Sequence, residues 1–97
     1  MTVEELRIKL ENIISGLTSS GFGSIDPGTV DKLEKLAAAS GELDMKEGKR
    51  LIENLTGAMK AIQEGKSNTE SGNLRLTALD FYLRKLSQDG NGSIEDL

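Results

Sequence analysis

The sequence predicts an all-α fold, a small four-helix bundle, roughly up-down and antiparallel. Three observations carry this. Aliphatic residues recur at spacings of three and four in four separate stretches, as they do on a helix with one buried face. Capping residues and glycines punctuate the stretches, and the connections are short. The chain has 97 residues, enough for one modest core and therefore one domain. The heptad-like spacing favours shallow crossing angles.

The first helix is expected over about residues 3–17. Thr2 can cap it, and Glu5 completes a capping box three residues later. Val3, Leu6, Leu10, Ile13 and Leu17 make its apolar stripe, which Ile14 widens. Residues 18–25 interrupt the helix, with Gly21 and Gly23 permitting backbone angles that other residues avoid. Phe22 and Ile25 are expected to fold back onto the core.

The second helix, over about 27–40, has the clearest start. Asp26 is a good N-cap, and Pro27 suits the first helical position because its missing N–H would be unpaired there anyway. Ile25 and Val30 can form a hydrophobic staple. Val30, Leu33, Leu36 and Ala37 face inward, and Gly41 is the expected stop.

The third helix follows almost at once, over about 45–64, with Asp44 as cap and Glu47 closing a second capping box. Gly48, Ile52, Leu55, Met59 and Ile62 form its stripe, beside Leu51 and Ala58. A glycine in that stripe permits a close helix crossing. Gly65 is the natural stop, and the short link to the second helix implies an α-hairpin or a sharp corner.

The fourth helix is expected over about 70–87, capped by Ser67 with Glu70 or by Thr69 alone. Gly72 and Asn73 weaken its first turn, so the start falls as late as Asn73 on that argument. Residues 88–97 read as a flexible C-terminal tail.

This last helix is the informative element. Leu76, Leu79, Leu83 and Leu86 form one stripe, while Leu74, Ala78 and Phe81 form another. At about 100° per residue the two point to nearly opposite sides, with Tyr82 between them. Apolar stripes are ordinarily core, which would make this the central helix, covered by the other three. The alternative is an exposed patch for a partner or a second copy.

Composition excludes several functions. With no cysteine there are no disulfides and no thiolate nucleophile. With no histidine the commonest general base and transition-metal ligand are also missing. Hydroxyl side chains are plentiful but nothing marks an activating base, and the acids sit on polar faces. No catalytic residue, metal ligand or cofactor is therefore expected. Net charge is −4, and the bases Lys46, Lys49, Arg50 and Lys60 are interleaved with Glu47, Glu53 and Glu64, so nucleic acid is not an expected partner. Residues 1–17 alternate charge with aliphatics and lack the apolar core of a signal peptide. No run approaches about 18 apolar residues, so no membrane is expected and the default location is cytoplasmic.

Two motifs are partial. Residues 87–97 resemble an EF-hand calcium loop, with Asp89, Asn91, Gly92 and Ile94 at its third, fifth, sixth and eighth positions. Ser87 stands where the first aspartate belongs, and no glutamate fills the twelfth position. Ala37 and Gly41 have helix-turn-helix spacing, but Glu42 and Asp44 lie close to where phosphates would sit.

The expected function is that of a non-enzymatic helical protein–protein interaction module (an adaptor, regulator or assembly subunit), with a protein partner or self-association. Leu74, Ala78, Phe81 and Tyr82 are its candidate interface. The alternative is a ligand- or calcium-binding module using the 18–26 loop or the 87–97 tail.

Overall fold

The computed structural model describes residues 2–22 and 26–90, with side chains in the last helix described as far as residue 86. It is a four-helix bundle: α1 (Val3–Ser20), α2 (Pro27–Glu42), α3 (Lys46–Gln63) and α4 (Thr69–Gly90), and there is no strand among the described residues. Each helix packs on the next in sequence, and α4 closes the ring against α1. Packing is most extensive along α2–α3 and α3–α4; α1 is seated more loosely between α2 and α4. The fourth helix is thus not central. It is one wall of the ring, with one face inward and one face outward.

Local chemistry explains most of the element ends. At the start of α1 the Glu5 amide donates to Thr2 Oγ1 at 3.1 Å, and the Thr2 amide donates to Glu5 Oε1 at 2.8 Å, the reciprocal bonds of a capping box. The helix runs on to Ser20, past its expected end at residue 17. It stops where Gly21 turns left-handed (φ 74°) and its amide donates to the Leu17 carbonyl at 2.7 Å. Asp26 caps α2 by accepting from the Gly28 amide at 3.0 Å, with Pro27 at the first helical position. The staple partner Ile25 lies outside the described residues.

The α2–α3 corner differs from expectation. Gly41 does not stop α2, and Asp44 does not cap α3. Asp44 instead takes the left-handed position (φ 62°) of a Schellman turn. Its amide donates to the Gly41 carbonyl at 3.1 Å, and the Met45 amide donates to the Ser40 carbonyl at 2.8 Å. Met45 is the N-cap of α3 and supplies no side-chain cap, so the expected box with Glu47 does not form. Glu47 pairs with Arg50 one turn on. The end of α3 repeats the same turn with Gly65 (φ 76°) in the left-handed position, as expected.

The α4 start is also a correction. Asn68, rather than Ser67 or Thr69, is the cap: its Oδ1 accepts from the Ser71 amide at 3.2 Å. Helix begins at Thr69 despite Gly72, because the glycine is buried where Phe22 and Ile62 close on the first turn. A Cβ there would lie 2.9 Å from Ile62 Cδ1 and 3.1 Å from the Phe22 ring. The helix continues to Gly90, beyond the expected end near residue 87; residues 91–97 lie outside the described residues.

The core is aliphatic. Leu6, Leu10, Leu33, Ile52, Leu55, Met59, Leu79 and Leu83 are fully buried. Phe22 folds back onto them. In α1 the inner position is Ile14, while Ile13 is only partly covered and Val3 is exposed. The buried hydroxyls are satisfied locally, Ser40 donating to the Leu36 carbonyl and Thr56 to the Glu53 carbonyl. Glu34 and Lys60 join α2 to α3 across the surface at 2.5 Å.

Candidate protein-interaction face

The inward stripe of α4 is Leu76, Leu79 and Leu83, all buried, with Leu86 partly covered. Half a turn round the helix, that geometry sends the second stripe to solvent. Leu74 is 68% exposed and Phe81 64%, where a core side chain would be below a tenth. Ala78, between them, is exposed as well. These three residues line one shallow depression with Glu70, Asn73 and Thr77, an aliphatic and an aromatic side chain standing either side of small ones. One turn beyond Phe81, Lys85 places its Nζ 5.8 Å from the centre of the Phe81 ring, within cation–π range.

Tyr82 belongs to a different neighbourhood. It is half-buried and leans on α3, where a Cβ added to Gly48 would meet its hydroxyl at 3.1 Å. Gly48 therefore allows the close α3–α4 crossing that its place in the stripe suggested. Burial holds the Tyr82 phenol above its usual pKa, with the nearby Gly48 backbone opposing and the Glu47 charge adding to the rise. Gly48 lies in the first turn of α3, and its lack of a side chain leaves room for the phenol ring there. Tyr82 joins two helices of the bundle; Leu74, Ala78 and Phe81 form the outward face without it.

Three further concavities flank α1, where packing is loosest. One cleft between α1 and α2 is lined by Asn12, Gly16, Ser20, Gly21, Asp26, Thr29 and Lys32, and so includes part of the 18–26 loop. Beside it, Lys9, Lys32 and Lys35 surround Ile13 and Leu36. The third, between α1 and α4, carries Glu11, Asp80 and Arg84. Among the described residues no group of three acids gathers to hold a metal, and every buried side-chain polar atom has a partner. The shifted carboxylates are surface groups. Arg7 holds Glu4 below its usual value, the Thr2 backbone does so for Glu5, and Arg50 for Glu47. Each belongs to a helix first turn, not to a cleft. The EF-hand-like segment lies largely outside the described residues.

Comparison with known protein families, curated proteins and solved structures finds no match to this chain. No helix among the described residues is long and apolar enough to cross a membrane.

Proposed function

We propose that this protein is a non-enzymatic interaction module that docks a protein partner on the outer face of α4. One observation carries the reading: two large apolar side chains, Leu74 and Phe81, stand about two-thirds exposed on one face of a helix whose opposite face already fills the core. Single exposed apolar residues are ordinary, but a contiguous pair around a small residue is the kind of surface that partners cover. Aromatic anchors such as Phe81 contribute most when a partner closes over them.

The test is comparative. Wild-type protein and Phe81→Asp are immobilised side by side and exposed to an extract of the source cells, and the mass of each in solution is followed with concentration. Binding or self-association present in the wild type and lost in the variant supports the module. If neither depends on Phe81, the outer face of α4 is ordinary surface. The expected cytoplasmic location belongs to the same proposal, and cell fractionation checks it.

A second reading has a narrower footing. The cleft between α1 and α2, which includes Ser20, Gly21 and Asp26, is a concave surface for a small ligand. A ligand that binds only the folded state raises the melting temperature by mass action. A screen of small anions, cations and metabolites, calcium included, that leaves the melting temperature unchanged removes this reading.

A further inference from the structure

We infer that the partner of this face is a second copy of the same chain, packed antiparallel through α4 about a two-fold axis beside Thr77 and Ala78. The inference rests on the interaction reading above and names its partner. Its basis is the order of residues along the exposed face: Glu70, Leu74, Thr77 with Ala78, Phe81, Lys85.

Turned end for end, that face complements itself. A two-fold midway between residues 77 and 78 sets Glu70 level with Lys85 of the other copy and Leu74 level with Phe81. The small pair Thr77 and Ala78 meets its own image at the centre. Each contact then occurs twice, as an isologous interface requires. At 100° per residue all six side chains fall within about a third of the helix circumference, so one partner helix can cover them together.

Other registers do worse. Parallel pairing puts Glu70 against Glu70 and Lys85 against Lys85, and aligns the two helix dipoles unfavourably. Sliding the antiparallel pair by one turn sets Glu70 against Phe81. Neither Glu70 nor Lys85 forms an ion pair among the described residues, and the contact of Lys85 with the Phe81 ring leaves its ammonium without a carboxylate partner, so opposite charges can meet across the interface.

The contact is small. Residues 70–85 span about 24 Å of helix, and one helix pair of that length buries less than the roughly 800 Å² per partner of a standard interface. The association is therefore of the weak, concentration-dependent kind.

Sedimentation equilibrium from micromolar to about millimolar full-length chain tests this in the range where such contacts fill. The wild-type mass climbs from 10.4 kDa toward twice that value. Phe81→Asp stays monomeric, and so does Ala78→Glu, which serves if the first variant loses helicity by circular dichroism. Lys85→Glu weakens association by about tenfold at low salt, since two attractions become two repulsions. The double variant Glu70→Lys with Lys85→Glu recovers wild-type association, because antiparallel pairing restores both opposite-charge contacts. Association that survives Phe81→Asp and Ala78→Glu overturns the inference. So does association that ignores the single charge reversal, which is the behaviour of a parallel pair. A strict monomer throughout overturns the second copy as partner. If extract binding still depends on Phe81 in that case, only the identity of the partner has failed. If nothing depends on Phe81, the interaction reading has failed with it.

Discussion

Phe81→Asp and Leu79→Ala change neighbouring residues of one helix, and their stabilities should diverge. Phe81 keeps 64% of its surface in water after folding, so only about a third of its burial is at stake. Full burial of such a side chain is worth about 1.5–3 kcal/mol, which leaves about 0.5–1 kcal/mol to lose. The Lys85 contact at an exposed site contributes about 0.5 kcal/mol, and aspartate next to Lys85 recovers part of it. The lower helix propensity of aspartate costs a few tenths more. The expected loss is about 1–1.5 kcal/mol. Leu79 is 0% exposed, and truncating a leucine at such a site costs about 2–5 kcal/mol because a cavity remains. For a domain of this size each kcal/mol moves the melting temperature by about 4–8 °C. Urea denaturation followed by circular dichroism measures both. A loss from Phe81→Asp equal to or larger than that from Leu79→Ala would refute the outward placement of Phe81 and restore α4 as a helix buried on both sides.

Further tests probe the turns and the α3–α4 seam. Asp44 holds a left-handed conformation that costs an L-residue about 1–2 kcal/mol and glycine none, so Asp44→Gly should stabilise the fold by the part of that relief that exceeds glycine's extra chain entropy. Gly65→Ala, at the equivalent position after α3, should destabilise by about 1 kcal/mol; denaturation midpoints moving in the same direction contradict the shared turn. Gly57 is exposed in the middle of α3, with nothing within 4 Å of where a Cβ would sit, so Gly57→Ala should add about 1 kcal/mol. Tyr82 is the chain's one tyrosine and there is no tryptophan, so near-ultraviolet absorbance reports it alone. Its folded pKa is raised, chiefly by burial, so the stability it contributes is complete below the unfolded value and is lost as pH rises through the folded one. Titration at or below the ordinary tyrosine value in folded protein would contradict its half-buried seat against Gly48.

Where the sequence read well, the physics was local or periodic. The Thr2–Glu5 capping box, the Asp26–Pro27 start and the Gly65 stop depend on atoms a few residues apart, and each formed as expected. The apolar stripe of α3 turned inward because a spacing of three and four defines one side of a helix wherever that helix packs. The corner at residues 41–46 read less well. Asp44 is equally suited to capping the next helix or to terminating the last one, and nothing in the adjacent sequence chooses between these roles. Gly72 misled for a related reason: propensity argued against a helix start, but the bulk of Phe22 and Ile62, distant in sequence, needed a residue without a Cβ.

The sequence by itself determined that the chain is helical, that four helices form, and that α4 carries two apolar stripes on opposite sides. These follow from periodicity, which is a property of each segment alone. Only the tertiary structure decided which stripe of α4 meets water. That depends on how many neighbours a helix has: in a closed ring each wall has an outside, and among the described residues no third helix covers Leu74 and Phe81. It likewise set Tyr82 apart from them, because the phenol ring packs beside Gly48 on α3.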